Sequence, residues 1–391
     1  MNGRRVVVTG IGVVAACGMG SKPFWEGLLG APATGTRSID DWDPSPWFGP
    51  KDARRTDRFA QFAVAAAAMA LDEAGPVSAD PDRSGVLVAT GVGGLATLEE
   101  QIVIRHEKGA KRVSPFLVPM MMGNAAAAAV SMRFGWRGPC EAIVTACAAS
   151  THAIGYAARL VASGVCDAAL AGGSEAAITE TGVAGFSNMT ALSPSGISRP
   201  FDVARDGFVM SEGAGVLVVE ELEAARARGA HIYGEVVGTA STADAHHITA
   251  PAPDGSGAVR CMELALAEAE LEPGAIASIN AHGTSTPLND AAEAEAIRKV
   301  FGEPGPAVTS TKGVTGHALG AAGALEAAAV LLSFEHGLIP PTAGLTELDP
   351  AITLDVVRDE PRAWEPGPSL SNSFGFGGHN GCLVLTPPAA S

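Results

Sequence analysis

GPCEAIVTACAASTHAIGYAARLVASG, residues 138–164, changes character in its middle. Ile143, Val144 and Thr145 are β-branched in a row and predict a short strand. From Ala146 onward the stretch is Ala-rich, with almost no charge over about four helical turns. A helix that is apolar all round belongs inside a sizeable protein, so this one predicts a central helix. Cys147 stands where strand passes into helix, and there free backbone N–H groups and the helix dipole favour a thiolate. A lone cysteine is also a common structural core residue. On this segment alone both readings stand.

A second segment has the same build. TGHALGAAGALEAAAVLLSF, residues 315–334, is again turn-led, apolar and rich in Ala and Gly. One such helix in each half of the chain predicts a duplicated βα unit whose central helices pack face to face. The rest of the chain fits that frame. Residues 5–14, the run from Ser84, Ala168–Ala171, the start of GAGVLVVEE and IASIN read as buried strands. Helical patterns fall at 52–74, 95–105, 256–270 and 291–299. Strands alternating with helices give an α/β class with largely buried sheets. The halves divide near His231, into 1–230 with the cysteine and 231–391 with the two histidines discussed below. TGIG at residues 9–12 is too short for a phosphate-cradling fingerprint.

Composition narrows the function classes. The chain has 391 residues, enough for two domains or one large double domain. Net charge is −16, from 26 basic and 42 acidic side chains, which argues against a nucleic-acid binder. The six cysteines lie far apart with no CxxC, so neither a disulfide framework nor a zinc site is indicated, and no metal is expected. MNGRRVVVTGIG runs straight into a strand and no apolar run has transmembrane flanks; a cytoplasmic enzyme off the membrane is expected. Basic residues recur in RRTDRFAQ, where Arg54, Arg55 and Arg58 would crowd a helix N-terminus against its dipole. That mismatch hints at an acidic ligand from outside, against the plainer reading of a solvated face. Met120, Met121 and Met122 could line an apolar tunnel or fill core.

Two histidines have suggestive settings. His282 follows IASIN and opens a turn at a strand's C-terminal end, where α/β proteins place reactive groups. His317 heads the second apolar helix. Either alone is commonly structural, but the two together with a helix-head cysteine favour a nucleophile with electrostatic partners. Lys312 and Glu326 are charges in apolar surroundings and would have to pair if buried.

VTACAAS, NAHGTSTPLND, STKGVTGHALGAAG and SNSFGFGGHN, in that order, resemble the signatures of a β-ketoacyl-[acyl-carrier-protein] synthase of the condensing-enzyme superfamily, synthase II most of all. The resemblance spans essentially the whole chain. It implies the thiolase-like duplicated five-layered αβαβα fold, usually as a homodimer. It implies decarboxylative Claisen condensation of an acyl group with malonyl-carrier protein, without an organic cofactor. Carried over residue by residue, Cys147 is the nucleophile, and its N–H with that of Phe376 forms an oxyanion hole. His282 and His317 hold the malonyl thioester, Lys312 and Glu326 support them, and Glu293 matches a structural acidic position. Phe376 is also a gate, supported by Phe374. Thr284 and Thr286 match the phosphopantetheine channel, and Val92, Leu117 and Phe186 the acyl pocket. Lys51, Arg54, Arg55, Lys111 and Arg112 match the docking patch for an acyl carrier protein. The chain departs from the pattern in a shorter segment before Lys51, in Thr190 where an arginine is expected, in the abbreviated turn Ser193–Gly196, and in His246 where a tyrosine is usual.

Three alternatives accompany that reading. A type II polyketide ketosynthase subunit would use the same chemistry. A non-catalytic chain-length partner would typically lack Cys147. A degradative thiolase would need a further cysteine base near the C-terminus, where this chain has FGFGGHNG and where Cys382 falls on the last strand.

Overall fold

The computed structural model describes residues 3–388. The two halves share a β-α-β-α-β-α-β-β framework, with further short elements inserted between its members. In the first half these are β1 (Val6–Ala15), α1 (Arg58–Ala74), β2 (Ser84–Ala89), α2 (Ala125–Phe134), β3 (Cys140–Glu141), α3 (Ala149–Ala162), β4 (Ala168–Glu175) and β5 (Gly213–Glu221). In the second they are β6 (Gly234–Ala243), α4 (Ser256–Ala269), β7 (Ser278–Asn280), α5 (Pro287–Phe301), β8 (Ala307–Thr309), α6 (Ala322–His336), β9 (Ser369–Gly375) and β10 (His379–Thr386).

The strand orders coincide. The first half reads β3-β2-β4-β5-β1 and the second β8-β7-β9-β10-β6, with a short strand Asp355–Val356 added beyond β8. In each half the first three strands of that order run parallel and the last two antiparallel. Within the sheet, among the described residues, the halves join where β1 pairs with β6, at Val7 opposite Glu235 and Val8 opposite Gly234. Such a repeat of order and sense is a duplication.

Helices α3 and α6 pack on each other and on strands of both halves, which makes them the middle layer. α1 and α2 cover the outer face of the first sheet, and α4 with α5 cover that of the second. The result is the mixed α/β, thiolase-like αβαβα stack. Strands buried on both faces explain why β1 and β4 read as continuous apolar or small-residue runs. Close approach in the middle layer depends on Gly323: a Cβ there would lie 2.0 Å from Thr151 Oγ1.

Several local expectations are corrected. Ile143–Thr145 is not a strand; β3 is only Cys140–Glu141. A single bond from Thr90 N–H to Ile143 O at 3.3 Å follows it before the chain bends away, so position overrides β-propensity. The helix read at 52–74 is two: Pro50–Ala53, then α1 from Arg58 with Asp57 as its cap. Asp57 accepts the Phe59 N–H, and Arg58 is held by Glu212 at 2.7 Å. The helix terminus is therefore satisfied from within, and its dipole gives no reason to invoke an outside ligand. The strand at 168–171 continues to Glu175, and the helix at 291–299 begins at Pro287 and ends at Phe301. All six cysteines are free thiols.

Candidate active site

Cys147 lies in a one-turn 3-10 segment, Ala146–Ala148, that leads into α3. Ala146 takes φ 49°, a left-handed conformation unusual for a residue with a Cβ. The strained turn places Cys147 in the wall of a cavity of about 360 Å³. His317 enters by the equivalent route, from the turn that heads α6, and its Nε2 lies 3.0 Å from Cys147 Sγ. His282 comes from the turn after β7. The sulfur and one ring nitrogen of each histidine all lie within 4.8 Å of one another. Cys and two His are also a donor set that could hold a soft ion, but the Lys312 ammonium beside them opposes a cation there.

Lys312 is 1% exposed and fully bonded: to Glu326, to His282 O at 2.7 Å and to His282 Nδ1 at 3.2 Å. An ammonium has only protons to give, so Nδ1 must accept and a neutral His282 carries its proton on Nε2. Burial, and then the nearby Lys312 charge, holds both His282 and His317 well below the usual histidine range, so both are neutral. Glu293 fixes the His282 turn by accepting the N–H groups of His282 and Gly283, each at 2.7 Å. Its burial pushes its carboxyl up to about 7.

Cys147 differs from the thiolate expected of a helix-head cysteine. Burial pushes its thiol up to about 11, against the smaller downward pull of Lys312 and of the Phe376 N–H. Desolvation of the anion outweighs the helix end. Cys147 thus rests as a neutral thiol beside the neutral His317 imidazole.

The opposite wall is the hairpin tip between β9 and β10. A Cβ on Gly375 would lie 3.1 Å from Cys147 N, so glycine lets this backbone close on the Cys147 turn. The Phe376 N–H points at Cys147. The Phe376 ring lies 6.5 Å from Phe186, and Phe374 stands edge-on to His282 at 6.0 Å. The tip is clasped by residues 244–252, through Gly377 N–H to Ile248 O at 2.7 Å and Asp244 N–H to Gly378 O at 2.9 Å. His246 and His247 lie exposed on that segment.

Thr284 and Thr286 line the cavity with hydroxyl oxygens 2.9 Å apart. Phe186 lines it too, but Val92, Leu117 and Met120–Met122 do not. Val92 is instead 46% exposed on the outer surface. Lys51, Arg54, Arg55, Lys111 and Arg112 are all exposed. Arg55 stacks on Phe116 at 4.4 Å, which brings the first basic cluster against the segment after the second.

Sequence reasoning missed Phe208 and Glu175. Phe208 stands edge-on to both His317 and Phe186 in the cavity wall. Buried Glu175 accepts bonds from Thr90 Oγ1 and from the N–H groups of Gly91, Val92 and Gly320, tying the two halves' turns together. A glutamate in the apolar run AALAGGSE was the available signal, since a buried charge needs partners.

Known proteins share this plan. Residues 34–225 match the family model "Beta-ketoacyl synthase, N-terminal domain", and residues 233–346 match "Beta-ketoacyl synthase, C-terminal domain". The 3-oxoacyl-[acyl-carrier-protein] synthase 2 of Synechocystis is 46% identical, with 98% of each chain covered. That of Staphylococcus aureus strain N315 is 44% identical over the same shares. Among solved structures, a beta-ketoacyl synthase from Burkholderia phymatum superposes with TM-score 0.91 at 36% identity, covering 98% of this chain and 100% of that one. The ishigamide ketosynthase/chain length factor gives 0.94 at 34%, covering 99% and 100%. With both domain models matched in order and a relative so similar along nearly its whole length, the chain belongs to the β-ketoacyl synthase family.

Proposed function

We propose that this chain is a 3-oxoacyl-[acyl-carrier-protein] synthase that condenses a cysteine-bound acyl chain with malonyl-carrier protein in fatty acid elongation. The observation that carries the reading is the meeting of the Cys147 sulfur and two neutral imidazoles, within 4.8 Å, in the wall of a largely apolar cavity. Cys147 Sγ attacks the acyl thioester, the thiol proton ends on the departing pantetheine sulfur, and the N–H groups of Cys147 and Phe376 take the oxyanion. The second substrate's thioester carbonyl is then held by Nε2–H of His282 and His317. As CO₂ leaves, these donors meet the enolate oxygen, and the carbanion attacks the acyl-enzyme to expel the Cys147 thiolate. Lys312, paired with Glu326, sets the His282 tautomer. Thr284 and Thr286 line the pantetheine channel, Phe376 gates it with Phe374 behind, and Phe186 bounds the acyl side. Val92 and Leu117 would join the acyl pocket only where a second subunit covers them. We divide the chain functionally at 230/231.

The carrier protein would dock on Lys51, Arg54, Arg55, Lys111 and Arg112, a local basic patch on an acidic enzyme. One solved relative, a type II polyketide ketosynthase, is in complex with its acyl-carrier protein; it is 33% identical with TM-score 0.89. The six free cysteines suit a cytoplasmic location. Among the described residues no helix is long and apolar enough to cross a membrane.

A homodimer belongs to the proposal. The sheet ends at the exposed strand β3, and beside it Met132, on the helix packed against β3, and Val144, just after β3, are 79% and 55% exposed. An open edge rimmed by apolar side chains is a pairing surface. Val144→Asp is expected to shift the protein from dimer toward monomer in light-scattering chromatography; an unchanged mass would place the interface elsewhere.

Intact-mass analysis after incubation with saturated acyl-carrier proteins of several lengths tests the pathway. Loading of medium and long chains at Cys147, followed by a gain of one two-carbon β-keto unit on adding malonyl-carrier protein, is expected. Poor loading by saturated chains would move the chain to a polyketide system. In the same assay His282→Ala and His317→Ala should each lower condensation at least about 100-fold while Cys147 still loads. Loss of loading in both would put the histidines in the other half-reaction.

A further inference from the structure

The two N–H groups proposed to hold the oxyanion come from different elements, the Cys147 turn and the β9–β10 hairpin tip. Among the described residues, one side chain is hydrogen-bonded to both elements. His152, in the first turns of α3, places Nδ1 2.8 Å from Thr145 Oγ1 and Nε2 3.0 Å from Asn380 O. Thr145 is the residue before the strained Ala146. Asn380 pairs with Phe374 at the base of the tip. A carbonyl can only accept, so Nε2 carries the proton and the Thr145 hydroxyl donates to Nδ1. One neutral tautomer satisfies both ends.

The neighbouring contacts make this a built bridge. Thr151 Oγ1 lies 2.7 Å from Ser373 Oγ on β9, so adjacent residues of α3 grip both legs of the hairpin just below its tip. Gly381 leaves the room: a Cβ there would sit 3.0 Å from His152 Nε2. Burial keeps the ring below the usual histidine range, consistent with a neutral bridge.

We propose that His152 is a positioning residue for acyl transfer, fixing the nucleophile turn to the base of the gate so that the Cys147 and Phe376 N–H groups keep their spacing. Motion of the gate then begins beyond Phe374 and Asn380 and leaves the oxyanion site in register. The inference rests on Cys147 as nucleophile and on these two donors. His282 and His317 do not touch His152, so malonyl decarboxylation draws on different groups.

The test compares His152→Ala, Thr145→Val and the double variant. Quench-and-mass kinetics give the rate of Cys147 acylation, and CO₂ release from malonyl-carrier protein gives decarboxylation. Each single variant should slow acylation about tenfold, because small misplacements of a reacting geometry cost that much or more. The double variant should be no slower than His152→Ala, since both remove one bridge. Decarboxylation should stay within about twofold of wild type, a split that a merely structural role would not produce. Unchanged acylation in both singles, or acylation and decarboxylation falling together, would overturn the proposal. If His152→Ala does not fold, the near-isosteric Thr145→Val decides by the same criteria. Peptide mapping of the acyl adduct separates the premises: an adduct away from Cys147 sinks the nucleophile assignment itself.

Discussion

Cys147→Ala should abolish condensation, lowering its rate by on the order of 10⁴-fold or more, while the enzyme still decarboxylates malonyl-carrier protein. The argument is one of half-reactions. Without Sγ there is no acyl thioester to receive the carbanion, which instead takes a proton from water and leaves acetyl-carrier protein. His282 and His317 keep their own supports, however: Lys312 on His282 Nδ1, and the Val209 O that accepts the His317 backbone N–H at 2.7 Å. Removing the sulfur also removes the 3.0 Å contact on His317 Nε2 and leaves that nitrogen open to substrate. Cys147→Ser would be a weaker test, because a hydroxyl keeps a polar partner there. Product formation and CO₂ release, measured together, check the prediction. Retention of condensation in Cys147→Ala would sink the assignment.

Much of this was legible because the features are local. An apolar helix led by a turn, occurring once in each half, was enough to give the duplication, and identical strand orders follow from it. Cys147, His282 and His317 could be named from their positions at the ends of apolar runs, but nothing in the spacing could bring them within 4.8 Å; that comes from α3 and α6 packing as one layer. The failures have a common physical origin. Free backbone N–H groups and the helix dipole favour a thiolate at Cys147, but desolvation by burial outweighs them. In the sequence Arg58 stands against the helix end, but its partner Glu212 lies 154 residues away in the chain. Glu175 was passed over because its four partners come from two separate turns. Val92 and Leu117 do not line the cavity of one chain, and Val92 lies exposed while Leu117 is half-buried.

Lys312→Met should be the most destabilising change at the site, by about 3–5 kcal/mol, and its pH dependence should identify the cause. Both Lys312 and Glu326 are nearly inaccessible, and among the described residues the Glu326 carboxylate has, apart from Lys312, only Ser373 Oγ, at 3.4 Å. Removing the ammonium strands a buried charge, which the protein can relieve only by keeping Glu326 protonated. Burial already pushes this carboxyl up, and the variant loses the chief opposing pull. The sign then follows. The folded variant holds a proton that the unfolded chain releases above its ordinary carboxyl range, so stability falls as pH rises through that window. Denaturant unfolding should therefore show a smaller loss near pH 5 than near pH 8. Adding Glu326→Leu should recover most of the stability, because an apolar pair of similar volume carries no desolvation cost. It should not recover decarboxylation: with no ammonium at Nδ1, His282 is free to place its proton on the wrong nitrogen. Equal losses at both pH values would mean that Lys312 acts by packing, and recovery of decarboxylation in the double variant would mean that the His282 tautomer is set by something else.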